Sequence, residues 1–305
     1  MTTNTIKKKS VSISFLSYFK YLLLLMKPRV MSLVIFTCAV GLLTAPVSVS
    51  FPNSIIAIFF VTIGAGAAGA LNMWYEADLD KLMTRTCLRP IPTGKVNSEH
   101  ALLFGTSLSV ISVAGLYYFS NFLSALVLAI TIGFYFFIYT VWLKRKTPQN
   151  IVIGGAAGAF PPVIGWTIAT NNISIEPIVL FLIIFLWTPS HFWALSLYKN
   201  DDYKNAGIPM LPVIAGEDYT KKNILAYAII LFPFTILPYL LGFAGLINLI
   251  TSVGFGLFYI YLSYELFRET NKKIYDKIAT KIFVFSIFYL FFIFSTILID
   301  NYLGV

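Results

Sequence analysis

Charged residues are scarce in this chain of 305 residues. Asp, Glu, Lys and Arg make up only 11% of it, whereas soluble globular domains carry about 25%. Hydrophobic residues reach 58%, which excludes an intrinsically disordered chain as well as an ordinary water-soluble fold. The composition therefore predicts a helical protein that crosses a membrane several times.

Cysteine is scarce too, since the chain contains only Cys38 and Cys87. Two cysteines exclude a disulfide framework and a cysteine-rich zinc or iron–sulfur site. The sequence also contains no Cys-x-x-Cys-His, which excludes covalent attachment of a c-type haem. Cys38 falls inside a long apolar run and is interpreted as a packing residue, and no expected chemistry needs Cys87.

Long apolar runs occupy most of the chain, and each is close to the roughly 20 residues that a helix needs to cross a bilayer. We predict nine membrane-spanning helices at residues 30–46, 54–71, 100–118, 123–142, 150–170, 177–196, 223–242, 245–265 and 282–300. No soluble domain separates these runs, so residues 1–305 are predicted to form a single all-α transmembrane domain. Residues 1–28 are expected on the cytoplasmic side and to include a short interfacial helix over about residues 13–27.

All 22 lysines and arginines fall on one side of the predicted topology. The N-terminus and four of the connecting loops carry them, while the other loops and the C-terminus carry none. The positive-inside rule then places the N-terminus in the cytoplasm. We interpret the net charge of +9 as this topology signal and expect no nucleic-acid partner. No Arg-rich, acidic-poor transit segment is present, which favours a bacterial inner membrane.

A row of oxygen-bearing side chains follows the second predicted span. Asn72, Glu76 and Asp80 are spaced four residues apart, which on a helix places them on one face. Their two carboxylates repel one another unless a cation joins them. Proteins bind Mg²⁺ through one or two carboxylates together with substrate phosphate oxygens. The spacing predicts a magnesium site at this helix end, and a solvated polar helix end is the alternative interpretation.

Basic side chains follow on the same side of the membrane. Arg85 and Arg89 lie four residues apart, and guanidinium forks suit phosphate oxygens. Lys144 and Arg145 end the fourth predicted span and are placed to reach the same diphosphate. Carboxylates and arginines together favour a metal–phosphate site, although basic residues at a span end are also common orientation signals.

A second polar cluster follows the sixth predicted span. His191, Tyr198 and Asp202 fall at positions i, i+7 and i+11, again on one helical face, with Asp201 to the side of it. The chain thus has two polar helix ends on the same side of the membrane. That repetition predicts one site built from two half-motifs.

Three strings around these clusters are long and specific. They are NMWYEADLDKLMTRTCLRPIPTG (72–94), YTVWLKRKTPQNIVIGGAAGAFPPVIGW (139–166) and WTPSHFWALSLYKNDDYKNAGIPMLP (187–212). In them the chain resembles the UbiA-type membrane prenyltransferases, and most nearly the branch that acts on haem. The resemblance implies a nine-helix bundle that transfers farnesyl from farnesyl diphosphate to a vinyl group of haem B with addition of water. The product would be haem O, which serves terminal oxidases. The cofactor would be Mg²⁺.

The chain departs from the family pattern at several positions. It has Glu76 where the first motif has an aspartate, and Met73 where quinone-type members have an acid. The second motif, a row of three aspartates, is matched by His191, Tyr198 and Asp202, as in the haem branch. This departure removes two carboxylates and supplies an imidazole where a porphyrin would sit.

The resemblance also implies roles for individual residues. The metal ligands would be Asn72, Glu76, Asp80, Asp201 and Asp202. The diphosphate would bind to Arg85, Arg89, Lys144, Arg145 and Lys199. The prenyl chain and the haem would contact Trp74, Phe160, Trp187, His191 and Trp193. The catalytic group would comprise Asn72, Glu76, Asp80, Tyr139, His191, Tyr198 and Asp202.

Alternatives remain open at this point. His191 either ligates the haem iron or forms a hydrogen bond near the metal. The acceptor could instead be an aromatic quinone precursor, although the missing second-motif aspartates speak against it. A haem or lipid transporter without chemistry is the other alternative, but the acids lie at span ends rather than at mid-membrane. The expected partners are the lipid bilayer and, among proteins, haem A synthase or an assembly factor of a terminal oxidase.

Overall fold

The computed structural model describes residues 14–304, and over that range the regular secondary structure is entirely helical. The principal helices are α1 (Phe15–Leu25), α2 (Pro28–Leu43), α3 (Phe51–Tyr75), α4 (Ser98–Phe119), α5 (Phe122–Leu143), α6 (Asn150–Thr170), α7 (Ile175–Tyr198), α8 (Glu217–Leu240), α9 (Leu246–Arg268) and α10 (Lys272–Leu303). Short helices lie at Ala77–Asp80, Asn200–Asn205 and Leu211–Ala215. Residues 1–13 and 305, and with them the start of the predicted N-terminal segment, lie outside the described residues.

Each predicted apolar run overlaps one of the helices α2 to α10. Most ends agree to within a few residues, but α8 begins six residues before the run predicted at 223–242, and α10 begins ten residues before the run predicted at 282–300. Eight of these, α3 to α10, are long and apolar enough to cross a membrane on their own. Helix α2 has 16 residues and reaches that length only together with α1, to which it is bent by 54°. The chain is therefore a polytopic helical membrane protein with eight or nine candidate spans among the described residues.

Helix α6, predicted as one span at 150–170, is broken in the middle, just before Pro161 and Pro162. Its halves are Asn150–Ala159 and Pro161–Thr170, and the break falls at Phe160 because proline lacks the N–H that would continue the helix. The second half packs closely on α2. A Cβ on Gly165 would collide with the Cys38 carbonyl, so glycine is required for this backbone contact.

The small residues at the end of α3 form a surface for the bend between α1 and α2. A Cβ on Gly66 would overlap Met26, and one on Gly69 would lie 3.5 Å from the Leu25 carbonyl oxygen. Lys27, at the bend, adopts a left-handed backbone with φ 55°. The packing of small residues therefore brings the start of α2 beside the polar end of α3.

Helix α7 occupies the centre of the second half of the bundle. It packs against the first half of α6, against α8 and against α10. Buried aromatic side chains, among them Trp193, Tyr259 and Tyr289, fill the space between these helices. This core holds the polar end of α7 in a fixed place relative to α10.

Candidate active site

The first half-motif lies where α3 ends. Glu76 separates Tyr75, the last residue of α3, from the short helix Ala77–Asp80, yet the hydrogen bonds continue across it. The Glu76 N–H donates to the Asn72 carbonyl at 3.0 Å, and the Asp80 N–H donates to the Glu76 carbonyl at 2.8 Å. All three side chains are buried, with 1%, 2% and 3% exposure for Asn72, Glu76 and Asp80.

Each of these buried side chains contacts a cation. The Lys144 ammonium lies 2.6 Å from Glu76, and Nη1 of Arg89 lies 2.8 Å from both carboxylate oxygens of Asp80. The Lys27 ammonium donates to the Asn72 amide oxygen at 2.5 Å. Because a buried charge is costly without a partner, these pairs compensate the two carboxylates. The site thus gathers three cations around three oxygen-bearing side chains.

Lys27 is a site residue that the sequence reasoning missed. It was counted only among the basic residues that set the orientation, because 45 positions separate it from Asn72. Pro28 is the one feature of the sequence that could have pointed to Lys27. Proline is common in the first turn of a helix, so the preceding lysine is expected at the N-terminal end of α2. No local pattern in the sequence reveals that this helix end rests on α3.

The end of α5 supplies the next part of the site. Its second half, Phe134–Leu143, is a π-helix, a distortion that is frequent at functional sites. Within it, Thr140 accepts a hydrogen bond of 3.0 Å from the Asn72 amide. The ring of Tyr139 fills the space over Gly154. The centroid of this ring lies 5.7 Å from the Lys144 ammonium nitrogen. The π-helix therefore presents Thr140 to Asn72 and places Tyr139 beside the cation on Glu76.

The second half-motif repeats the arrangement of the first. Helix α7 ends at Tyr198, Lys199 breaks the helix, and the short helix Asn200–Asn205 carries Asp202. Thr84, in the loop after the first motif, donates a hydrogen bond of 2.6 Å to Oδ2 of Asp202. Apolar side chains from both motifs pack together beneath this contact; they are Leu79, Met83, Phe192 and Tyr203. The structure thus joins the two polar helix ends.

The His191 ring, on α7, lies between two aromatic rings. Trp187 stacks on one face at 4.2 Å between ring centroids and Phe283 on the other at 4.6 Å. Tyr198 also packs against Phe283, at 6.2 Å. His191 and Tyr198 therefore line the same face of α7, against α10.

The remaining predicted residues have different surroundings. Arg145 binds the exposed carboxylate of Asp78 with both guanidinium nitrogens, at 2.8 and 3.0 Å. Partial burial would raise the pKa of Asp78, but the Arg145 guanidinium and the Leu79 N–H together hold it below its usual value. Arg85, Lys199 and Asp201 are exposed.

The predicted aromatic contacts of the substrates are divided among several places. Trp74 packs near Phe136 of α5, at 6.2 Å between centroids. Phe160 and Trp193 lie in the apolar packing between helices. Trp187 is stacked on His191, another of the predicted site residues.

The donor set fits a metal that is shared with a diphosphate. Among the described residues, no group of three or more His, Cys, Asp or Glu side chains is arranged to hold a metal alone. Asn72, Glu76 and Asp80 nevertheless offer an amide oxygen and two carboxylates, the hard oxygen ligands that Mg²⁺ takes alongside substrate phosphates.

Comparison with known proteins places these features in a family. The family model described as UbiA prenyltransferase family matches residues 33–297. A protoheme IX farnesyltransferase of Pelagibacter ubique (strain HTCC1062) is 61% identical over 303 residues, covering 99% of this chain and 100% of that protein. One of Parvibaculum lavamentivorans is 51% identical over 280 residues, covering 92% of this chain and 88% of that one.

Solved structures share the helical architecture. A UbiA homologue from Archaeoglobus fulgidus bound to DMAPP and Mg²⁺ matches with a TM-score of 0.70 at 16% identity, covering 90% of this chain and 98% of that one. One from Aeropyrum pernix K1 matches with a TM-score of 0.73 at 17% identity, with the same two coverages. At these identities the likeness shows the fold. Taken with the match over residues 33–297, it leads to a plain conclusion: the chain belongs to the UbiA prenyltransferase family.

Proposed function

We propose that this chain is a magnesium-dependent prenyltransferase that transfers farnesyl from farnesyl diphosphate to a vinyl group of haem B. The products are haem O and diphosphate. The observation that carries this proposal is the set of buried side chains Asn72, Glu76 and Asp80, each in contact with a cation. The two relatives at 61% and 51% identity bear the name of this activity.

The leaving group is the first chemical task. Asn72, Glu76 and Asp80, with Asp202 and Asp201 opposite, would hold magnesium, which would supply positive charge to stabilise the diphosphate leaving group. Lys27, Lys144 and Arg89 bind phosphate oxygens from the protein side, and Arg85, Arg145 and Lys199 supply further positive charge at the rim. Such fixed charges usually make the largest contribution to catalysis of this kind.

Shielding the allylic cation is the second task. The ring faces of Tyr139 and Trp187 attract a cation by about 0.5–2 kcal/mol each and exclude water. The π electrons of the haem vinyl group form the new carbon–carbon bond to the farnesyl carbon. This leaves a carbocation beside the porphyrin, to which water adds, and the proton passes to solvent. Trp74, Phe160 and Trp193 belong to the apolar walls for the prenyl chain and the porphyrin.

The membrane arrangement follows from the same proposal. Nine spans, with α1 as the interfacial helix and the N-terminus in the cytoplasm, place every Lys and Arg on the cytoplasmic side. The site then opens at the cytoplasmic face of a bacterial inner membrane, and the apolar tails of both substrates lie among the helices. This placement is supported by the basic residues around both half-motifs.

The test is a reaction in lipid nanodiscs. The purified protein is mixed with Mg²⁺, farnesyl diphosphate and either haem B or 4-hydroxybenzoate, and the products are identified by mass spectrometry. We expect haem O from the first mixture only, and none after chelation of the metal. Prenylated hydroxybenzoate would favour the quinone-precursor alternative, and no prenylated product from either mixture would favour a transporter.

Two variants place the activity at the proposed site. Asp80→Asn removes a buried metal ligand, and we expect the rate of haem O formation to fall at least about 100-fold. Asp78→Asn is the matched control, since Asp78 lies two residues away on the exposed side and an amide still accepts from Arg145. Equal loss of activity in both variants would contradict the assigned site.

A further inference from the structure

Ser286, near the middle of α10, is fully buried and holds two residues of α7. Its hydroxyl oxygen lies 2.6 Å from Nδ1 of His191. Its carbonyl oxygen accepts a hydrogen bond of 2.8 Å from the Trp187 indole N–H. The hydroxyl also lies 2.7 Å from the carbonyl oxygen of Phe283, one turn earlier in α10. Ser286 therefore contacts both members of the stack formed by Trp187 and His191.

These distances determine where the imidazole proton lies. A serine hydroxyl has one hydrogen to donate and lone pairs to accept with. The Phe283 carbonyl can only accept, so Ser286 donates its hydrogen there. With that hydrogen assigned to Phe283, we assign an N–H to Nδ1 as the donor in the 2.6 Å contact with Ser286. In the neutral imidazole the other nitrogen, Nε2, is left with a free lone pair.

The surroundings of the ring leave Nε2 available. Trp187 and Phe283 cover the two faces of the imidazole, so the ring is held in one plane. Nε2 makes no hydrogen bond to the described residues, and it is not fully enclosed by them. His191 keeps 6% of its surface exposed. Nε2 is thus the ring nitrogen without a hydrogen-bond partner among the described residues.

We propose that Ser286 is a positioning residue, which fixes the Nδ1–H tautomer and the plane of His191 so that Nε2 ligates the iron of the haem substrate. This inference rests on the proposed haem-farnesylating function. Histidines that ligate a metal nearly always donate their other N–H to a carboxylate, a backbone carbonyl or water, which fixes the tautomer and the ring orientation. At His191 the Ser286 hydroxyl oxygen would take the place of that acceptor. Axial ligation fixes the porphyrin plane, and with it the distance from the vinyl group to the allylic carbon.

The test separates haem binding from turnover. The full-length protein in phosphatidylcholine–phosphatidylglycerol nanodiscs is titrated with ferric haem B in the absence of farnesyl diphosphate. Optical and electron paramagnetic resonance spectra then report the axial ligand. We expect an imidazole-ligated spectrum for the wild type, and its loss in His191→Gly. Added free imidazole should restore the ligated spectrum in that variant.

Ser286→Ala removes the acceptor for the Nδ1 proton. We expect haem affinity to fall roughly 10- to 100-fold, the range found for loss of an outer partner of a metal-ligating histidine. Ser286→Thr keeps the hydroxyl and should recover most of the affinity. Ser263→Ala is the matched control, because Ser263 is equally buried but bonds only the Tyr259 carbonyl in its own helix.

The outcomes are distinguishable. A Ser286→Ala protein with wild-type affinity and spectrum would overturn the role of Ser286. A His191→Gly protein with the wild-type spectrum would overturn ligation, while haem O formation by the wild type would leave the proposed function standing. If the wild type binds haem through imidazole but forms no haem O, the proposed function fails and the ligation stands.

Discussion

The Thr84 hydroxyl donates a hydrogen bond of 2.6 Å to Oδ2 of Asp202, which lies 118 residues further along the chain. This bond connects the loop after the first half-motif to the short helix of the second. It is the most direct polar link that the described residues make between the two. A site that binds one magnesium–diphosphate group from two sides depends on such a link, because the two sides must keep a constant separation.

Replacing Thr84 therefore tests whether the two half-motifs work as one site. Thr84→Val keeps the side-chain shape but removes the donor, and a hydrogen bond to a charged group contributes about 1.5–3 kcal/mol. We expect kcat/KM for farnesyl diphosphate to fall about 10-fold, measured by haem O formation. Thr84→Ser should retain most of the activity. Thr93→Val is the control, since its hydroxyl bonds only backbone carbonyls of its own loop.

A second prediction concerns the position of Tyr139. A Cβ at residue 154 would overlap the Tyr139 ring, so Gly154→Ala must displace it. We expect a loss of about 1–3 kcal/mol in stability, together with lower activity. Gly158→Ala, one helical turn later, meets nothing within 4 Å and should gain up to about 1 kcal/mol. Thermal unfolding of both variants makes the comparison, and equal effects would contradict the packing argument.

Lys27 gives a prediction in which activity and stability diverge. Its ammonium contacts the Asn72 amide, which carries no charge to compensate it. Lys27→Met should therefore leave the unfolding temperature unchanged or raise it, since burying a charge whose direct hydrogen-bond partner is neutral is costly. Activity with farnesyl diphosphate should fall roughly 100-fold, because a cation on the leaving group is lost. Lys20→Met, at an exposed position of α1, should change neither quantity.

Asp300 gives a prediction about the opposite end of the bundle. It is fully buried and accepts hydrogen bonds of 2.8 Å from the N–H groups of Gly245 and Asn248, at the start of α9. Asp300→Ala should lower the free energy of unfolding by roughly 2 kcal/mol, as loss of a helix cap does. Asp300→Asn keeps an acceptor oxygen and should cost less. Asn301→Ala, at an exposed neighbour, is the control, and chemical denaturation in detergent is the measurement.

The sequence predicted those parts of the fold and site that depend on near neighbours. Hydropathy located α2 to α10 because a span must be apolar along its whole length. The four-residue spacing singled out Asn72, Glu76 and Asp80, which the hydrogen bonds across Glu76 keep in register.

The rest depends on contacts between distant parts of the chain. Lys27 meets Asn72 across 45 residues and Ser286 meets His191 across 95, and neither pairing leaves a periodic signal in the sequence. The π-helix of α5 was read as an ordinary span, because its residues are as apolar as the rest of that helix. Arg145, expected at the diphosphate, is bound to Asp78, whose side chain lies on the exposed side of the motif.

The pairing of Lys144 with Glu76 and of Arg89 with Asp80 has a consequence for turnover. Under the proposed function, an incoming diphosphate would compete with carboxylates that already pair with these cations, and separating the pairs would offset part of its binding free energy. The same carboxylates would pair with the cations again when diphosphate leaves, which would favour release of the product.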